Sequence, residues 1–226
     1  MTERDDIGSS GKAVALEHRE TAEDGRRYSP SAGRNKQVIS DVLGAHMPVS
    51  GRILEIASGT GEHGAHFVAA HHALRWTYSD VDEISLASQA AWVAHDSFGG
   101  RLSGPLKLDA SADDWDNAVT GQDIDAIFCA NMIHIAPFEV AKGLIAGAGR
   151  LLEQGGRLCL YGPFARKGVI APSNARFSED LKRRDPSWGV RDLDLEIVPL
   201  AEAAGLDLKT VIEMPANNLT VVFQKA

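Results

Sequence analysis

The rhythm of apolar and polar positions changes at Gly51. Before it, residues 1–26 are polar and weakly periodic, which reads as a flexible tail with a short helix near Val14–Arg19. Tyr28, Ser29, Pro30 and Ser31 then introduce a helix from about Gly33 to Met47, with Val38, Ile39, Val42 and Leu43 on one face. From Gly51 onward, short apolar runs alternate with helical stretches. The pattern predicts strands at Arg52–Ala57, Arg75–Ser79, Leu106–Leu108, Ile124–Ala130 and Arg157–Tyr161. It predicts helices at about 62–72, 83–95, 112–119 and 137–153. Strands separated by such helices imply right-handed crossovers and a parallel sheet covered on both faces.

The finish differs. After a helix near 193–204, the runs Asp207–Glu213 and Leu219–Gln224 are separated only by Met214 to Asn218. That link is too short for a parallel crossover, so the two runs should pair antiparallel. The expected fold is α/β: a doubly wound, Rossmann-like, seven-stranded sheet, mostly parallel with an antiparallel last strand and helices on both faces. Residues 27–226 should form it as one domain.

Composition narrows the partners. The 226 residues carry a net charge of −8, which argues against DNA, because phosphate neutralisation needs clustered Lys and Arg. The start is polar and acidic and no apolar run reaches membrane-spanning length, so a cytoplasmic protein without membrane contact is expected. Cys129 and Cys159 lie inside apolar runs and read as buried strand residues in a reduced compartment.

The segment Ile53 to Gly64 points to a ligand. Gly59, Gly61 and Gly64 satisfy the spacing of a dinucleotide loop, a weak signal by itself. Glu55, near the end of the apolar strand, alters its meaning. A carboxylate there repels a pyrophosphate but suits S-adenosylmethionine, which carries a sulfonium and an α-ammonium instead of phosphate. The alternative is a structural glycine turn with a buried, hydrogen-bonded Glu55. Ala57, Ser58, Gly59, Thr60 and Gly61 are the loop residues whose backbone would approach the ligand. Asp80 follows Gly61 by 19 positions, a distance that suits one helix and one strand, and can accept both ribose hydroxyls.

At the next strand end, Asp109 can take the adenine amino group while the neighbouring amide at Ala110 donates to the ring; equally, Asp109 caps a helix. Asn131 and Met132 follow the fourth strand and are expected near the cofactor. His134 lies near the reacting methyl, either as a base or only shaping the site; Tyr161 is the other catalytic candidate. Residues 162–189 form a long connection suited to covering a substrate, and the Asn217–Asn218 turn should reach the same edge, although Asn is also a common turn residue. His63 and His66 have helical spacing but no further ligands in view, so no metal is expected.

Together these segments resemble class I S-adenosylmethionine-dependent methyltransferases over residues 51–226. More specifically they resemble the domain-of-unknown-function family 938, through Tyr28 to Lys36, Leu54 to His63, Tyr161 to Phe164 and Met214 to Leu219. The resemblance implies the fold and the cofactor but no substrate. It also implies that the Tyr28–Lys36 stretch folds over the ligand, with Tyr28, Arg34 and Asn35 reaching the crevice and Arg34 meeting the carboxylate of the methionine part or an anionic substrate. Ala57 departs from the class pattern, which has a glycine there. The expected activity is methyl transfer to an unidentified small molecule. The alternatives are a non-catalytic S-adenosylmethionine-binding partner subunit and an NAD-dependent oxidoreductase.

Overall fold

A computed structural model of the chain describes residues 17, 19–95 and 97–226. The helix expected near Val14–Arg19 falls mainly outside these residues. Two short strands, β1 (Glu20–Thr21) and β2 (Arg27–Tyr28), pair antiparallel and lead into α1 (Pro30–His46). Helix α1 starts three residues before the expected Gly33. Ser29 is its N-cap, accepting from the Ala32 amide, and Pro30 opens the first turn, where its missing N–H leaves no bond unmade.

The main sheet is built from β3 (Gly51–Ile56), β4 (Leu74–Asp80), β5 (Leu102–Lys107), β6 (Ala126–Ala130), β7 (Arg157–Gly162), β8 (Leu206–Met214) and β9 (Asn218–Lys225). Its spatial order is β5-β4-β3-β6-β7-β9-β8. Of the seven, β9 alone runs against the others and is inserted between β7 and β8. The expected doubly wound sheet with an antiparallel last strand is therefore present. Helices α2 (Glu62–Ala70), α3 (Glu83–Ala94) and α4 (Phe138–Leu151) make the crossovers, with α5 (Pro172–Arg184) and α6 (Val198–Ala203) in the connection from β7 to β8.

Three boundaries differ from the pattern. β5 begins at Leu102, four residues before the expected Leu106, because Gly104 and Pro105 interrupt the apolar run. An edge strand tolerates that interruption, since one side needs no ladder donors. The helix expected at 112–119 is only a 3-10 turn at Trp115–Val119. The helix expected near 193–204 is split: Asp192 caps a π turn at Leu193–Ile197, and Pro199 stands in the first turn of α6.

A core lies on each face of the sheet. Leu54, Ile56, Ile127, Leu158 and Phe223 pack beneath Leu144 and Ile145 of α4 and Ala201 of α6. On the other face, Ile53, Trp76, Tyr78 and Phe128 meet Ile39 and Leu43 of α1 and Phe67 of α2. Trp76 stacks on Phe67 with ring centroids 5.0 Å apart. Each such buried aromatic or aliphatic side chain contributes about 1.5–3 kcal/mol. The two cores fix the sheet, and with it the positions of the loops at its carboxyl edge. Both cysteines are buried and unpaired.

Candidate active site

The turn after β3 is held from beneath by hydrogen bonds to its neighbours. The Ser58 amide donates to Ser79 O at 2.9 Å, and Ser79 Oγ donates to Glu55 O at 2.6 Å. Tyr78 Oη donates to Gly61 O at 2.7 Å, Ser88 Oγ to Thr60 O at 2.8 Å and Gln89 Nε2 to Gly59 O at 3.0 Å. Gly64 lets α2 press against β4: a Cβ there would come within 2.5 Å of Trp76 and Tyr78. Helix α2 itself starts at Gly61 without a side-chain cap, so its first amides point outward unclaimed by a capping side chain.

Ala57, the departure from the class pattern, adopts a left-handed backbone with φ 56°. The turn keeps the conformation that glycine favours, and alanine bears the strain of roughly 1–2 kcal/mol. Ala57→Gly is therefore expected to stabilise the fold by about 1 kcal/mol, less the entropy that glycine adds to the unfolded chain. Thermal denaturation checks this; a lower melting temperature in the variant would refute it.

Three carboxyl groups are buried around this one turn. Asp80, at the end of β4, accepts from the Gly59 amide at 2.9 Å and from the Val81 and Asp82 amides at 2.8 and 3.1 Å. Burial raises its pKa, and the three amides oppose the rise. Glu62, in the first turn of α2, accepts from the Ser29 amide at 2.6 Å and from Lys36 Nζ at 3.2 Å. Glu55, expected to face the ligand, instead points below the turn into the aromatic core, where Trp76 Nε1 donates to it at 2.9 Å, so it is the buried, hydrogen-bonded acid that the sequence admits as the alternative. Burial pushes its pKa up to about 8, with the Trp76 bond opposing. His63 Nδ1 lies 4.0 Å from Glu55, and burial pushes that imidazole down to about 4. His63 Nε2 is 2.9 Å from Asn35 Oδ1.

The segment before α1 straps over this region. Tyr28 packs edge-on against Trp92 of α3 at 5.5 Å, with the Arg26 guanidinium over the same indole at 4.7 Å. The Arg27 amide donates to Ser88 Oγ at 2.9 Å. Asn35 turns toward α2, where it meets His63. Arg34 does not: its side chain is 72% exposed and lies 3.8 Å from Glu17.

The remaining candidates fall at the same sheet edge but in different settings. Asp109 is exposed and accepts from the Ser111 amide and hydroxyl at 2.9 and 2.6 Å. Ala110 is buried, with Gly143 of α4 closed against its carbonyl. Asn131 is left-handed, with φ 62°, and Met132 and His134 are buried in the turn behind it. His134 Nδ1 accepts from the Arg191 amide at 3.2 Å. Burial, then the Arg191 charge, pushes His134 down to about 3. Asn217 donates to Ser173 at 2.9 Å and Asn218 to Pro215 O at 3.0 Å, so both amides are engaged in shaping their turn.

Sequence reasoning missed Ser88, Gln89 and Trp92, which support the turn from α3. Their signal was present: with Ser85 they recur at helical spacing on one buried face, although Ser and Gln there are polar. It also missed Arg191, whose guanidinium donates to Ile133 O at 3.0 Å and Ala136 O at 2.9 Å and so clamps the turn carrying His134.

The sheet order, the antiparallel β9 and a glycine turn flanked by Asp80 define the class I methyltransferase fold. Solved structures agree. An O-methyltransferase family protein from Burkholderia thailandensis superposes with a TM-score of 0.71 at 17% identity, covering 87% of this chain and 57% of that one. Human N-acetylserotonin methyltransferase, in complex with SAM, gives 0.67 at 14% identity, with 87% and 53% covered. An O-methyltransferase family 2 protein from Planctomyces limnophilus, in complex with apigenin, gives 0.67 at 17%, with 85% and 61% covered. This chain thus spans between about half and three fifths of those proteins' lengths. Residues 26–225 match the family described as protein of unknown function DUF938, and the chain belongs to that family.

Proposed function

We propose that the chain is an S-adenosylmethionine-dependent methyltransferase acting on a small-molecule acceptor. The observation that carries this reading is the buried Asp80 carboxylate set against the Gly59 amide at the glycine turn, where it can accept ribose hydroxyls. A diphosphate at the start of α2 would meet the buried Glu62 in its first turn, whereas a ligand with ribose hydroxyls suits Asp80. The residues fit such a ligand in another respect: Gln89 Oε1 is buried beside the turn with no partner among the described residues, an acceptor available to a ligand donor.

Asp80 would hold the ribose, and the backbone of Ala57 to Gly61 would pass close beneath the ligand. S-adenosylmethionine, when bound, supplies a methyl already activated by a sulfonium. What this chain's residues then have to do is align the acceptor and exclude water, effects that together supply about 7–11 kcal/mol in favourable cases. The 163–192 connection covers the acceptor side. Phe164 and Trp188 are buried within it, and the Gly189 amide bonds His134 O at 2.9 Å. The small-molecule complex of the Planctomyces relative supports an acceptor of that size.

Titration calorimetry tests the reading. S-adenosylmethionine and S-adenosylhomocysteine are expected to bind with Kd on the order of micromolar, about −8 kcal/mol, and NAD not at all. Binding of NAD without binding of S-adenosylmethionine or S-adenosylhomocysteine would sink it.

A further inference from the structure

We propose that His134 is a fixed hydrogen-bond donor to the methyl acceptor, and that the acceptor is a carboxylate. The proposal rests on the methyltransferase reading above and names the substrate class of that same site.

The tautomer follows from the partners. The Arg191 amide is a donor, so His134 Nδ1 must present its lone pair to it. In the neutral ring the proton then sits on Nε2. That atom is buried and has no partner among the described residues. It faces Gly162 at the carboxyl end of β7, where a Cβ would come 2.7 Å from Nε2 and 3.2 Å from Asn131 Oδ1. A side chain larger than glycine at residue 162 would collide with the ring edge. The clamp is rigid: Arg191 ties down Ile133 O and Ala136 O, and Phe164 meets the imidazole edge-on at 4.8 Å. Arg191 is also the charged group that bears on the ring, and its charge opposes protonation, as burial does.

Such a histidine cannot take a proton from the acceptor. One nitrogen already carries a hydrogen and the other is committed to an amide. An acceptor that must lose a proton before it attacks is poorly served here, and one that arrives deprotonated is well served. A carboxylate fits because it has two oxygens: one accepts from His134 Nε2 while the other attacks. Local charge favours the same class. Residues 163–196 hold seven Lys and Arg against six Asp and Glu, a net +1 in a chain of net −8.

The step balances without a base. The carboxylate oxygen forms a bond to the methyl carbon as the carbon–sulfur bond breaks, its electron pair going to sulfur. An anion and a sulfonium become a neutral ester and a neutral thioether, and no proton is released.

Two measurements on the full chain test this. Long-range 1H–15N correlation of the imidazoles, with His134 assigned from H134Q or from the ring-current change in F164L, should show Nε2–H and a bare Nδ1. That state should persist from about pH 5.5 to 8. Titration of the ring in that range, or a proton on Nδ1, overturns the proposal. The protein is also incubated with methyl-labelled S-adenosylmethionine and a panel of aliphatic and aromatic carboxylic acids, then treated with mild alkali. A methyl ester releases labelled methanol. H134Q should lower this alkali-labile label about tenfold or more while leaving S-adenosylhomocysteine affinity within about twofold. If S-adenosylhomocysteine binds but no alkali-labile label forms, the carboxylate proposal fails alone. If it does not bind, the methyltransferase reading fails and takes the proposal with it.

Discussion

Asp80→Ala is expected to weaken S-adenosylmethionine binding by about a hundredfold or more, measured by titration calorimetry. The carboxylate accepts three backbone amides, two from its own turn and one from Gly59 across the crevice. Hydrogen bonds to a charged group contribute about 1.5–3 kcal/mol each, and about 2.7 kcal/mol corresponds to a hundredfold. The variant loses the ribose acceptor and also frees the Gly59 amide, so the glycine turn loses its tie to β4. Asp80→Asn keeps the shape but sets an NH2 group among amide donors, and it should fall between wild type and Asp80→Ala. An affinity within threefold of wild type for Asp80→Ala would show that the ligand lies elsewhere.

Glu55→Gln is expected to stabilise the protein at alkaline pH, by on the order of 4 kcal/mol at pH 9. The sign follows from the direction of the shift. Burial raises the folded pKa to about 8 from an ordinary 4.5, so the folded state holds a proton that the unfolded state has released. The stability tied to that proton is fully present below about pH 4.5 and is lost as pH rises through about 8. Glutamine mimics the protonated acid. Its oxygen still accepts from Trp76, and its NH2 faces His63 Nδ1, the free lone pair of a ring whose Nε2 bonds Asn35. Denaturant unfolding of both proteins at pH 5 and pH 9 checks this. A gain equal at the two pH values, or larger at pH 5, would mean that Glu55 ionises freely in the fold.

The loop and its acid were legible because strand, turn and helix lengths alone place them. Once β3, α2 and β4 are read, Asp80 must stand beside Gly59. Orientation around a helix was harder to read. Arg34 and Asn35 are sequence neighbours about 100° apart on α1, and only tertiary packing decides that Asn35 turns inward and Arg34 outward. Ser88 and Gln89 were only half legible for a related reason: their spacing marks a buried face, but polar residues there do not say what they bind. β5 was shortened by Gly104 and Pro105, whose strand-breaking signal is correct for an inner strand and irrelevant at an edge. The role of His134 lay beyond any spacing argument, because it depends on which nitrogen the Arg191 amide occupies from 57 residues away.

The placement of β9 has a consequence for synthesis on the ribosome. Residues 218–225 fill an interior position of the sheet, between a strand that ends at residue 162 and one that begins at residue 206. Until those residues emerge, β7 and β8 both expose open backbone edges, and Leu158 and Leu206 lack the Phe223 side chain packed with them in the finished core. The sheet therefore closes last at its centre-right rather than growing outward strand by strand. A nascent chain that carries every residue of the glycine turn and of the His134 clamp is still an open, aggregation-prone intermediate. Chaperone dependence should thus concentrate between the synthesis of β7 and the emergence of β9, after the glycine turn and His134 have been made.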